Sequence, residues 1–128
     1  MRHLNPTTLS KANGYSHVVE AAGGRTLYVS GQVSLDASGK VVGAGDLDAQ
    51  ARQVFENLKS ALEAANASLA NVVKITVFMT DLSGLPAFRR LRESYFPKNP
   101  PASSLVKVAG LVLPELLIEI EAVAVVSG

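Results

Sequence analysis

The chain has 128 residues with 12 basic and 11 acidic side chains, and its net charge of +1 gives no electrostatic footprint for nucleic acid or an anionic membrane surface. It contains no cysteine, which excludes disulfides, thiolate nucleophiles and cysteine-based zinc sites and fits a cytoplasmic protein. The length suits a single domain over 1–128 with its own core, and 48% apolar residues with a mean hydropathy of +0.23 predict some surface buried against other subunits.

Residues 1–14 carry Asn, Pro, Thr, Ser and Gly and read as an irregular lead-in, without the apolar core of a signal peptide. The pattern predicts short strands over 15–21 and 26–32, joined as a hairpin through Ala22-Gly23-Gly24-Arg25. Asp36-Ala37-Ser38-Gly39 reads as a further turn and Val41-Val42 as a short edge strand. From Asp46 the apolar period lengthens. Leu47, Ala51, Val54, Phe55, Leu58, Ala61, Leu62 and Ala65 form one helical stripe, with Gln50, Arg52, Glu56, Lys59 and Glu63 off it. Asp46 is the expected N-cap, and Asn66 with Ser68 the exit. The β-branched run 72–80 predicts a central strand. A second helix is expected to start on a Ser83 cap, with Pro86 in its first turn. Its apolar face is Leu85, Phe88, Leu91, Tyr95 and Phe96, and Pro97 stops it.

Two closing strands, over 100–108 and 117–126, flank a loop at Leu113-Pro114-Glu115. In the second, Glu119, Glu121, Val123 and Val125 share one face, and Ile118, Ile120, Ala122 and Ala124 the other. A carboxylate in so apolar a strand needs a partner, a ligand or a proton. From the residues alone Glu119 reads first as one partner of a structural ion pair, and Glu121 as part of a structural or intersubunit pair. The order β-β-(β)-α-β-α-β-β predicts an α+β domain, a mixed sheet with two helices on one face. The other face, also apolar, needs a cover of its own. No run approaches the roughly 20 apolar residues that cross a bilayer.

The sequence resembles the RidA/YjgF/YER057c/UK114 family of small trimeric reactive-intermediate deaminases over nearly its whole length. The landmarks are Tyr15-Ser16-His17, Tyr28-Val29-Ser30-Gly31-Gln32, Asn57-Leu58, and the run from Val73-Lys74-Ile75-Thr76 to Asp81-Leu82. Tyr95-Phe96 and Ile118-Glu119-Ile120-Glu121-Ala122 complete the set. The resemblance implies a chorismate-mutase-like fold and a homotrimer with a small-molecule cleft between each pair of subunits. It also implies cofactor-free hydrolysis of enamines and imines such as 2-iminopropanoate. By this likeness Glu119 matches the glutamate that positions water, and Tyr15 the tyrosine lining the cleft.

One position departs. Where the family pattern reads Pro-Ala-Arg-Ser, with the arginine binding the substrate carboxylate, this chain reads Pro101-Ala102-Ser103-Ser104. Leu105 stands where a cysteine is common. Ser103 offers one neutral hydrogen bond in place of a bidentate charged pair, a loss of roughly 3–5 kcal/mol. That predicts little acceleration of 2-imino acid decay, and a gain on Ser103→Arg. The readings left open are a deaminase of non-standard substrate and a non-catalytic ligand-binding trimer. An endoribonuclease or translation-associated protein is the weaker third.

The remaining signals read as structural. Lys107 shares a strand face with Ser103 and could supply a displaced cation, although such lysines are more often solvated. Ser103 and Ser104 have no histidine beside them to act as base, and His3 and His17 lack metal-ligand spacing. Arg89, Arg90 and Arg92 read as the solvated face of the second helix.

Overall fold

Alternation of apolar residues along the last strand decides which way the sheet faces. The computed structural model describes residues 1–127. In order they form β1 (Arg2–Leu4), β2 (Val18–Glu20), β3 (Arg25–Val33), α1 (Leu47–Glu63), β4 (Val72–Met79), α2 (Leu85–Tyr95), β5 (Ala102–Lys107) and β6 (Ile118–Val126). The main sheet has the order β3-β6-β4-β5. β4 and β5 run parallel, connected through α2, and the other pairs are antiparallel. This is the mixed sheet of an α+β fold.

One side of the sheet, built from Ile75, Val77 and Met79 of β4 and Ile118, Ile120, Ala122 and Ala124 of β6, is buried beneath both helices. α1 contributes Val54, Phe55, Leu58 and Leu62, and α2 contributes Phe88 and Leu91. Each large side chain so buried adds roughly 1.5–3 kcal/mol, which commits the sheet to this orientation. Phe55 anchors the helix pair, stacked on Tyr95 at 4.5 Å and on Phe88 at 6.1 Å between ring centroids. Asp46 caps α1 as expected, its Oδ1 accepting from the Ala49 amide at 3.1 Å. Asn57 faces β3 and donates to the carbonyls of Val33 and Leu35, both at 3.0 Å.

Five local expectations are corrected. The lead-in begins with a strand: β1 pairs with β2, His3 opposite Val19. The hairpin across Gly23-Gly24 does not form, because β3 pairs with β6 and puts Leu27 and Val29 against the core. Gly24, at φ 74°, lies so close to the end of β6 that a Cβ there would sit 2.0 Å from the Val126 carbonyl oxygen. Val41 makes only an isolated bridge to Leu35. Ser83 lies within a 3-10 turn (Leu82–Gly84) and donates its amide to the capping Asp81, so α2 is capped at Gly84 and starts one residue later than a Ser83 cap implies. Gln50, expected off the buried stripe, is fully buried. Its amide nitrogen donates to the carbonyls of Gly43 (3.0 Å) and Glu115 (2.9 Å), and its oxygen accepts from the Leu117 amide (2.8 Å).

The second side of the sheet carries Tyr28, Lys74, Thr76, Phe78, Ser104, Val106, Glu119 and Glu121 by register. Neither helix packs there. Tyr28 is 81% exposed and Val106 is also open to solvent.

Candidate functional site

Strand parity divides the sequence-derived site residues between the two sides of the sheet. Ser103 pairs with Ile75 and Leu105 with Val77, so both point to the helix side at the β5 edge. The lead-in is sewn to this edge: Ser16 bridges to Ala102, and its amide donates to the Pro101 carbonyl at 3.0 Å. That seam places Tyr15 beside β5. Its ring meets His17 edge-on at 5.4 Å, and His17 Nε2 lies 2.6 Å from the Ser10 carbonyl oxygen.

Tyr15, Ser103 and Leu105 together line a cleft of about 510 Å³ between the β5 edge, α2 and the lead-in. Lys11, Arg89, Arg92 and Glu93 bring three cations and one carboxylate to the same cleft. Arg92 departs from the solvated face expected of it, with 6% exposure. Its terminal nitrogen donates to the Asn13 carbonyl at 3.2 Å, and its guanidinium carbon lies 6.0 Å from the Phe88 ring centroid. Burial first, then the neighbouring Arg89 cation, push its pKa below the ordinary guanidinium value, while Glu93 and Tyr15 act the other way. Among the described residues, the buried side-chain nitrogens without a hydrogen-bond partner are His3 Nε2 and Arg92 Nε.

Lys107 does not line the cleft. It is exposed at the end of β5, where its charge helps hold the Asp81 carboxyl below the usual value, after the larger effect of the Ser83 hydrogen bonds. Among the described residues no three of His, Asp and Glu converge as a metal-ligand group. Among the described residues no helix is long and apolar enough to cross a membrane.

Glu119 lies on the opposite side of the sheet, half-buried, opposite Val33 on one neighbour and Phe78 on the other. A bulge in β3 shapes its surroundings. Between the pairs Val29–Ala122 and Gln32–Ile120, Ser30 and Gly31 together face the single residue Glu121. A Cβ on Gly31 would sit 2.1 Å from Glu119 Oε2, so the absence of a side chain there is what admits the carboxylate. Among the described residues neither Glu119 nor Glu121 forms an ion pair within the chain. Glu121 is exposed, opposite Thr76.

The chain thus holds two groups of candidate residues, one on each side of the sheet. Reading the residues missed Arg92 and Lys11. The signal for Arg92 was available: with Leu85 and Phe88 it follows i, i+3, i+7 spacing, which puts it on the apolar stripe of α2.

Residues 6–126 match the family described as endoribonuclease L-PSP. A 3-aminoacrylate deaminase, RutC, of Acinetobacter baylyi is 43% identical over 98 residues, covering 77% of each protein. A RutC family protein of Pyrococcus horikoshii is 38% identical over 86% of this chain and 85% of its own length. Among solved structures, the Rid family protein YyfB of Yersinia pestis, described as of unknown function, superposes with a TM-score of 0.92. It is 42% identical, with 98% of each chain covered.

Proposed function

The chain belongs to the endoribonuclease L-PSP family, which includes the Rid and RutC proteins, and from that premise we propose a trimeric deaminase of small enamines or imines acting in clefts between subunits. The observation that carries this reading is the division of the site. Glu119 with Gly31, and Ser103 with Tyr15 and Leu105, occupy opposite sides of one sheet and cannot reach a common ligand within one chain. A neighbouring copy packed with its cleft on the open side would set Glu119 of one chain against the Ser103 cleft of the other, and would also bury Tyr28 and Val106.

Such a cleft can hydrolyse a C=N bond without a cofactor. The Glu119 carboxylate accepts a proton from a water whose oxygen adds to the imine carbon. That proton passes to the nitrogen of the resulting carbinolamine. The same carboxylate then takes the hydroxyl proton of the carbinolamine and passes it to the nitrogen, the C–N bond breaks, ammonia leaves and a carbonyl remains. Tyr15 and Leu105 shape an apolar wall, and Ser103 donates one hydrogen bond to the substrate. Positioned acid–base transfer of this kind contributes about 10²–10⁴ in rate.

The test is the decay of freshly generated 3-aminoacrylate and 2-iminopropanoate with and without protein. We expect acceleration of at least one, reduced ~10²–10⁴-fold by Glu119→Gln. Saturable ligand binding with no acceleration would support instead a non-catalytic trimer that sequesters the metabolite, the reading that Ser103 favours. RNA cleavage insensitive to Glu119→Gln would overturn both.

A further inference from the structure

We infer that Arg92, reaching the cleft from α2, is the anion anchor of this protein and takes over the carboxylate-binding task for which Ser103 lacks a charge. The inference rests on the cleft reading above and adds to it a residue that lies on a different element from β5. Arg92 is nearly fully buried, yet among the described residues its Nε hydrogen meets no acceptor. A buried cation without a counter-charge is a costly arrangement in a subunit alone, and an anion bound in the cleft that Arg92 lines would offset it. The guanidinium is held in place by the Asn13 carbonyl and by the Phe88 ring beneath it. Its approach to the lead-in depends on Gly14, where a Cβ would come within 2.9 Å of the Arg92 terminal nitrogen.

The surroundings favour an anion. Arg89 and Lys11 add two positive charges to the cleft against the one carboxylate of Glu93. Ser103 and Tyr15 line the same cavity, so a carboxylate on Arg92 would still lie beside the residues that face the reacting end of a small substrate. A planar guanidinium offers paired donors from α2 as it would from β5; what changes is the direction from which the acid group is gripped. The ligand class is therefore a short organic acid bearing the enamine or imine.

The experiment uses the intact protein with pyruvate as probe and pyruvamide as its uncharged counterpart. Titration calorimetry should show pyruvate binding and no comparable binding of pyruvamide. Arg92→Met, which keeps length and apolar bulk, should weaken pyruvate at least ~30-fold; Arg92→Lys should fall between, and Arg90→Met should change nothing. In hydrolysis the Arg92 variants should raise KM for an acidic substrate more than they lower kcat. An independent readout needs no variant: on adding pyruvate to the native protein, the ¹⁵Nε–H resonance of Arg92 should shift. Pyruvate binding that is unchanged in Arg92→Met and leaves that resonance unmoved overturns the assignment while leaving the cleft reading intact. Failure of the native protein both to bind pyruvate and to hydrolyse either imine probe overturns the cleft reading itself.

Discussion

Glu119 is held by what its neighbour lacks. The bulge brings Gly31 under the carboxylate, and any side chain there would occupy the space of Oε2. The far end of a glutamate can swing away at little cost to the fold, but not without leaving its position over the bulge. Gly31→Ala should therefore retain stability to within ~1 kcal/mol by thermal melting, while kcat for the imine substrate falls at least ~10-fold. Unchanged turnover would show that the carboxylate works from elsewhere. Glu119, Tyr15, Ser103 and Leu105 became candidates in the sequence because the family resemblance names their positions. Arg92 was passed over, although its spacing from Leu85 and Phe88 puts it on the apolar stripe of α2, because three arginines in one turn of helix look like a solvated face. The partner that only the fold supplies is the Asn13 carbonyl, in the lead-in far away along the chain.

Local periodicity fails at element scale where a long-range partner overrides it. Both helices, the central strand and the closing strands were readable, since each carries its own apolar period. The hairpin was not: the two glycines suit a turn, but Leu27 and Val29 gain more from the core beside β6 than from pairing with β2. Gln50 was misplaced for a similar reason, because its three hydrogen bonds reach loops 7 and 65–67 residues away along the chain. The contact between α1 and α2 makes a pH-dependent prediction. Tyr95 stacks on Phe55 and donates its hydroxyl to Glu56 Oε2 at 2.8 Å. Burial, followed by that hydrogen bond, raises the phenol above its ordinary 10.0. The fold thus favours the neutral form, whose contribution is complete below pH 10.0 and is lost as pH rises through the folded-state value. Tyr95→Phe should cost about 0.5–1 kcal/mol near neutral pH. Melting curves from about pH 8 to about pH 11 should show the wild-type advantage shrinking, because the variant lacks this titration. A constant gap across that range would mean the phenol carries no linkage.

At the scale of the whole molecule, the position of the site follows from one geometric fact. A strand shows alternate residues to opposite sides, so a sheet one residue thick separates Glu119 from Ser103 and Arg92 however the side chains turn. On the proposed function, closing the reaction site calls for a second copy, and a ring in which each chain offers its open side to the next chain's cleft would complete every site with identical contacts. This arrangement predicts complementation between inactive variants. Glu119→Gln spoils one half-site and Arg92→Met the other, so each trimer made of one variant alone has only damaged clefts. In mixed trimers, some clefts join the sound Glu119 half of one chain to the sound Arg92 half of another. With equal random mixing, about a quarter of all clefts should be whole. Co-expressed variants should therefore recover close to that fraction of wild-type turnover, whereas the separately purified proteins assayed side by side should not. Sedimentation of the mixture at about three times the 13.4 kDa chain mass would tie the recovery to the trimer. No recovery in a mixed trimer of that mass would mean that each chain closes its own site, against the separation the sheet imposes.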